Sequence, residues 1–191
     1  MSTPRVVRVG VTGHRSFDDP EGVADRVVAA LDNLRRLSSE EAGGTPVRLE
    51  VLSALAEGAD RLVAEMALSR PDDTLVAVLP MTREDYATDF DTAESRREFE
   101  SLLAASRVVE TMPPAATREA AYERAGHWIV DHSDTLVALW DRDPSRGRGG
   151  TAEIVTYAMK RGVPVLWVRT ERPRSAGSWR EYVEDLSLIH I

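Results

Sequence analysis

Two glycines and a threonine stand where a strand is predicted to turn into a helix. The stretch GRGGTAEIVTYA, residues 147–158, follows the apolar run TLVALWD and continues with apolar residues at helical spacing. A glycine pair at this position needs a reason, because glycine costs a helix about 1 kcal/mol relative to alanine. Backbone amides at Gly149 and Gly150 could approach a phosphate closely, and the Thr151 hydroxyl could bind one of its oxygens. The alternative is an N-capped helix that follows a solvated loop.

The loop before this turn is rich in arginine, although the chain as a whole carries a net charge of -8. Arg142, Arg146 and Arg148 therefore form a local positive charge that suits a small anion. No lysine follows the glycines as it does in a Walker motif, which disfavours hydrolysis of ATP by a P-loop. No G-x-G-x-x-G follows the first predicted strand, which disfavours an ordinary nicotinamide dehydrogenase.

The first predicted strand ends in VGVTGHR. Gly13 permits a tight turn, and His14 could donate to a ligand or act as an acid or base. Arg15 could bind a phosphate through two parallel hydrogen bonds. The alternative is a surface turn that happens to hold a histidine and an arginine.

Polar residues also follow the second and third predicted strands. SALAEGAD places Glu57 and Asp60 beside the start of a helix, where they could bind ribose hydroxyls or simply favour the helix N-terminus. Tyr86, Asp89 and Phe90 come soon after the third strand. The predicted ligand-binding residues are Thr12, Gly13, His14, Arg15, Ser53, Glu57, Gly58, Asp141, Arg146, Arg148, Gly149, Gly150, Thr151 and Glu153.

Short β-branched runs alternate with longer amphipathic stretches along the whole chain, which predicts a Rossmann-like α/β/α fold with a mostly parallel sheet. Strands are expected at 6–13, 47–55, 74–80, 107–112, 135–141 and 163–169, and helices at 22–37, 59–69, 92–105, 118–133 and 151–161. Ligands of such sheets bind outside the carboxyl ends of the strands. The candidate residues should therefore meet at one edge.

Composition limits the alternatives. The 191 residues predict one domain, residues 1–170, and a tail, residues 171–191, which ends on apolar residues like a truncated helix or like a last helix docked on the core. The chain has no cysteine, and His127 and His132 do not share a helix face, so we expect neither a metal site nor a resident cofactor. Without a signal-like or membrane-spanning run, a cytoplasmic location is expected. The net charge disfavours general binding to nucleic acids.

Five segments in order resemble the SLOG superfamily: VGVTGHR, SALAEGADRLVAEMAL, LVAVLPM, HSDTLVALWD and GRGGTAEIVTYAMKRGVPVLWV. This superfamily groups the DNA-processing protein DprA, the LOG-type phosphoribohydrolases and ligand-sensing domains such as those of TRPM channels. The matching segments cover roughly residues 6–168, and TGHR is similar to the opening of the YpsA-like branch. The resemblance implies a Rossmann-like fold that binds nucleotides or nucleotide-derived ligands at the glycine-rich turn.

For function, the resemblance favours a bacterial sensor domain for an ADP-ribose-like ligand, forming a homo-oligomer and coupled to an effector in defence. The alternative is a LOG-like enzyme that cleaves the N-glycosidic bond of nucleoside 5′-monophosphates. The LOG motif P-G-G-x-G-T-x-x-E is matched only in part, because Glu153 stands one position early and is rotated by about 100° around the helix. Glu153 is thus a candidate catalytic residue only, and a binding domain is the leading hypothesis.

Overall fold

The computed structural model describes residues 3–141 and 150–170, which form six strands and six helices. Strands and helices alternate along the chain except between the third and fourth strands, where two helices follow one another. The strands are β1 (Arg5–Gly13), β2 (Val47–Ser53), β3 (Thr74–Leu79), β4 (Val108–Thr111), β5 (Thr135–Trp140) and β6 (Val165–Arg169). The helices are α1 (Pro20–Glu41), α2 (Ala59–Leu68), α3 (Arg83–Ala87), α4 (Ala93–Ala105), α5 (Arg118–Asp131) and α6 (Thr151–Arg161). The short helix α3 lies between the predicted strand at 74–80 and the predicted helix at 92–105, where the sequence predicted no helix or strand.

All five strand pairings are parallel, in the order β4-β3-β2-β1-β5-β6. The predicted Rossmann-like α/β fold is therefore confirmed. The chain adds β2, β3 and β4 on one side of β1 and then returns to place β5 and β6 on the other side. This reversal leaves a crevice outside the carboxyl ends of β1 and β5.

Helices cover both faces of the sheet. The core on the first face joins α1, α2, α3 and α4 to the sheet, and there β1 contributes Val7, Val9 and Val11. These residues alternate along the strand because successive side chains point to opposite faces. On the other face, α5 and α6 pack through Ile129, Ile154 and neighbouring apolar residues.

Four of the six helices begin at a side chain that accepts a hydrogen bond from a first-turn amide. Asp19 caps α1, and threonines cap α3, α4 and α5. Helices α2 and α6 instead begin at Gly58 and Gly150, and neither has a side-chain cap. Both uncapped helices follow strands that flank β1.

Among the described residues, no helix combines the length and the apolar character needed to cross a bilayer. The predicted tail, residues 171–191, lies outside the described part of the chain.

Candidate functional site

The crevice between β1 and β5 is bridged by His14 and Asp141. The Nε2 atom of His14 lies 2.8 Å from Oδ1 of Asp141, and both side chains are about 10% exposed. The same nitrogen is 3.3 Å from the backbone nitrogen of Asp141, but the shorter carboxylate contact is the better hydrogen bond. The backbone amide of His14 also donates to Leu139 O at 3.1 Å. His14 therefore ties the ends of two neighbouring strands together.

Two glycines allow the chain to approach closely at this edge. A Cβ atom on Gly13 would lie 2.4 Å from the Cβ of Ala59. Gly58 has φ 79°, and a Cβ there would lie 2.4 Å from the backbone of His14 and Arg15. Because Gly58 has no side chain, the turn after β1 comes close enough for the Ala59 amide, the first of α2, to donate to His14 O at 2.9 Å. Gly58 thus positions the turn after β1, since its surroundings are backbone atoms of that turn.

The connection from β2 to α2 is strained. Leu55 has φ 59° although it is not glycine, and its side chain is fully buried. Ser53 Oγ accepts from the Leu55 amide and donates to Asp60 O, both at 3.1 Å. Arg61 Nε donates to Leu55 O at 3.1 Å. Ser53 is itself fully buried, so it holds this loop rather than lining open space.

The buried guanidinium of Arg61 connects the same loop to α4. Nη1 of Arg61 donates to Ser95 Oγ and to Glu98, each at 2.9 Å, and the group stacks 4.5 Å from the centre of the Phe90 ring. Ser95 Oγ in turn donates to Glu57. Glu57 is therefore held by α4, and Nη2 of Arg61 is buried without a hydrogen-bond partner in the described part of the chain.

Asp60 and Tyr86 are buried titratable side chains at this edge of the sheet. Asp60 is 8% exposed and accepts from the Ala56 amide at 3.3 Å. Burial raises the pKa of Asp60 to about 7, while the Ala56 hydrogen bond and the charge of Arg15 act in the opposite direction. Burial, and next the charge of Asp60, raise the pKa of Tyr86, while Arg15 again lowers it.

Helix α6 begins at the open end of the crevice and packs on both β5 and β1. Gly150 is its N-cap residue with extended backbone, and the Thr151 side chain does not cap the helix. Glu153 is exposed on the first turn, whereas Ile154 next to it is buried. The first amides of α6 are thus free of side-chain caps in the described structure.

The structure brings most of the predicted residues to one edge of the sheet but gives them different surroundings. Thr12 and Ser53 are buried, Gly13 and Gly58 serve close packing, and Glu57 is bound to Ser95. Arg15 is exposed. Arg146, Arg148 and Gly149 lie outside the described residues.

Three residues at this edge, Asp60, Arg61 and Tyr86, were missing from the predicted set, although Asp60 was weighed beside the start of a helix. Arg61 stands on a helix whose other inward positions, apart from Asp60, are small or apolar, and an arginine in that pattern was the available signal. Tyr86 follows the third predicted strand, but nothing in the sequence placed its ring in the core against Phe90 and Phe99. No group of metal-binding side chains occurs among the residues that the structure describes.

A second concavity lies at the opposite edge, where the strands begin. This amino-edge groove has a volume of about 330 Å³ and is lined by Val6, Arg8, Arg48, Glu50, Arg107 and Asp134. Glu50 pairs with Arg8 at 3.2 Å and with Arg107 at 3.6 Å. The backbone amide of Arg8 donates to Asp134 at 2.7 Å.

The class that the geometry defines is a parallel, Rossmann-like α/β domain with a polar crevice at its topological switch point. No protein-family model matches the chain, and a comparison with curated proteins found no match.

Proposed function

We propose that this chain is a binding domain for a nucleotide or a nucleotide-derived ligand of the ADP-ribose kind. The observation that carries the proposal is the glycine-capped N-terminus of α6 at the crevice between β1 and β5. A helix N-terminus carries about half a positive charge, and its amides point toward an anion placed there. A phosphate of the ligand would occupy this position.

Two further features support the proposal. Arg15 follows β1 and is exposed, so its guanidinium is available to a second phosphate oxygen. Gly13 lies opposite Leu139 in the sheet, which puts the turn that carries Arg15 beside the end of β5. The resemblance to the SLOG superfamily supports the same ligand class. A sensor of this kind in a bacterial defence system would act in the cytoplasm and pass ligand binding to an effector, as a homo-oligomer.

Binding is tested by calorimetry and thermal shift with AMP, ADP and ADP-ribose. Saturating ligand should raise the melting temperature by mass action. The variant Gly150→Val should abolish binding, because its side chain would fill the space in front of the first amides of α6. Gly162→Ala, at the other end of the same helix, is the control: its φ of 71° makes alanine cost some stability, but nothing lies within 4 Å of its Cβ and the first amides of α6 are untouched.

Arg15→Ala should weaken binding by about tenfold to a hundredfold, as expected for a lost charge-assisted hydrogen bond. Arg48→Ala, in the amino-edge groove, should leave the affinity unchanged. If none of the three nucleotides binds to the wild-type protein, the proposed function is wrong. If Arg15→Ala binds like the wild type, the phosphate position is wrong.

A phosphoribohydrolase is the second candidate, because Glu153 presents an exposed carboxylate on the first turn of α6. That enzyme would release free base from AMP, which chromatography detects directly. Loss of this release in Glu153→Gln would establish the enzymatic function. A pure protein that releases no base over several hours would eliminate it.

A further inference from the structure

The strand β4 forms one edge of the sheet, and its outer side is open. It pairs with β3, and all four of its residues, Val108–Thr111, are exposed. Among the residues that the structure describes, only those of β3 hydrogen-bond to the backbone of β4. Edge strands that remain unpaired usually carry a lysine, a proline, a bulge or an inward-pointing charge. β4 begins with two valines and contains neither lysine nor proline.

The two valines are exposed on opposite faces of the sheet. Val108 is 36% exposed and Val109 is 44% exposed. Because successive side chains of a strand point to opposite faces, neither face is fully covered at β4. A partner that buries both valines must therefore extend the sheet at this edge, which requires another strand.

A second copy of β4 fits this edge in one register. Two copies related by a two-fold axis run antiparallel, and an axis that pairs most of the strand passes beside Val109 or beside Glu110. An axis beside Glu110 would place two carboxylates directly opposite each other, which is destabilising. An axis beside Val109 places this valine against its copy, and Val108 against Glu110 of the second copy.

The charges at the two ends of β4 complement each other in this register. Glu110 pairs in the sheet with Val78, so its side chain lies on the face that α5 covers farther along. Arg107, just before β4, reaches the same face, since its Nη1 atom is 3.6 Å from Glu50, which alternates with core residues of the first face. Val108 lies opposite Glu110 of the second copy, so Arg107 is one residue away from that carboxylate. The two-fold axis creates this ion pair twice.

We propose that two copies of this chain pair through antiparallel β4 strands, with Val109 at the two-fold axis, and join their six-stranded sheets into one. The pairing rests on the homo-oligomer of the proposed function and gives it an interface, but it does not depend on the ligand. Pro113 and Pro114 have no backbone N–H and end the pairing after β4. Because the paired strands are antiparallel, the two ligand crevices open at opposite ends of the dimer.

Sedimentation of the full chain, without nucleotide and over a range of protein concentrations, tests the pairing. The wild type should be a dimer. Val109→Lys places two ammonium groups against each other at the axis and should raise the dimer dissociation constant by about tenfold or more. Val28→Lys is the matched control, because Val28 is 40% exposed on α1, whose main contacts are with α2, β2 and β6. This variant should dimerise like the wild type.

A single cysteine tests the register, because the chain has no cysteine of its own. Val109→Cys places two thiols on residues whose Cα atoms are about 4.5–5.5 Å apart, within the range of a disulfide. Mild oxidation should therefore cross-link most of this variant. Thr111→Cys is the matched control on the same face of the same strand. Its Cα atom lies roughly 14 Å from its copy in this register, so this variant should not cross-link.

A monomeric wild type would overturn the pairing and the homo-oligomer, while nucleotide binding keeps its separate test. A dimer that persists in Val109→Lys, and that Val109→Cys does not cross-link, would overturn the β4 interface and leave the homo-oligomer standing. Equal cross-linking of Val109→Cys and Thr111→Cys would overturn the register. Thermal denaturation checks the folding of every variant, and the cysteine pair decides the question if Val109→Lys does not fold.

Discussion

The two edges of the sheet differ in their backbone more than in their charge. The amino-edge groove contains three arginines and a clear concavity, yet Glu50 pairs with two of those arginines. Buried side-chain atoms without a hydrogen-bond partner among the described residues occur at both edges, so they do not distinguish one edge from the other. Thr74 Oγ1 is such an atom at the amino edge, and Arg61 Nη2 is one at the carboxyl edge. The carboxyl edge alone combines glycine-capped helices with a strained loop residue, Leu55.

This difference shows that concavity and positive charge are weak indicators of a site in this fold. Charged side chains on an open sheet face can satisfy one another, as Arg8 and Glu50 do. Close backbone approach and uncapped helix amides require specific residues, and they have a cost in stability. If that cost is confined to the carboxyl edge, substitutions there should destabilise the protein more than matched substitutions at the amino edge.

The largest effect is expected for Gly58→Ala. Its φ of 79° disfavours any side chain, and the new Cβ would lie 2.4 Å from the backbone of His14 and Arg15. Strain and clash together should reduce the free energy of unfolding by on the order of 3 kcal/mol or more. Urea denaturation measures this loss.

The matched change at the other edge is Gly43→Ala, in the turn that precedes β2. Gly43 also has a positive φ, 65°, but nothing lies within 4 Å of its Cβ position. Only the left-handed conformation is penalised there, so the loss should be about 1–2 kcal/mol. Equal losses in the two variants would show that close approach at Gly58 contributes nothing.

The second prediction concerns Asp60 and pH. Burial raises the pKa of Asp60 to about 7 in the folded protein, against 3.8 for an ordinary aspartate, although Arg15 and Arg61 lower it. Between these two values the folded state holds a proton that the unfolded state has released. The free energy of unfolding should therefore fall as pH rises from about 4 to 7, by on the order of 2–4 kcal/mol, and then level off.

Asp60→Asn should lose this contribution, so that its stability relative to wild type improves steadily from pH 4 to pH 7. Thermal denaturation across this range measures the difference. Glu50→Gln, at the amino edge, is the control and should keep the Asp60 contribution. A constant difference between Asp60→Asn and wild type at every pH would contradict the assigned cause.

Much of this fold could be predicted because its strands are continuous apolar runs. TLVALW and VVRVGVTG read as buried strands without knowledge of their neighbours. Helix α3 was missed because its five residues are too short to show a periodic pattern. The edge at which candidate residues meet also followed from the sequence, since all parallel strands end on the same side.

The roles of individual residues at that edge could not be predicted in the same way. Ser53 and Glu57 have the composition of ligand-binding residues, but each is bound by residues of the protein itself. Ser95 lies 38 positions from Glu57, and no local pattern links them. Likewise, only the folded chain places the ring of Tyr86 against Phe99 of α4.

The third prediction compares two tyrosines of one aromatic cluster, whose ring centres are 6.4 Å apart. Tyr86→Phe removes a hydroxyl without a described partner, so the free energy of unfolding should be unchanged or slightly higher. Tyr122→Phe removes a hydrogen bond to Asp89 and should lower it by about 1 kcal/mol. Urea denaturation of both variants measures these two changes in the free energy of unfolding. A clear loss for Tyr86→Phe would mean that its hydroxyl is satisfied within the protein.

The smallest effect is expected for Arg8→Ala, in the amino-edge groove. Its side chain is 56% exposed, and Arg107 remains 3.6 Å from Glu50 after the change, so the carboxylate keeps a cationic partner. The loss in free energy of unfolding should therefore be no more than about 1 kcal/mol, within the range measured for exposed ion pairs. It should also shrink in high salt, because water and ions already screen this pair.

Removing Arg8 and Arg107 together should cost more than the sum of the single changes, because Glu50 would then be left buried without a cation. Strict additivity in this double-mutant cycle would show that the two arginines do not substitute for each other.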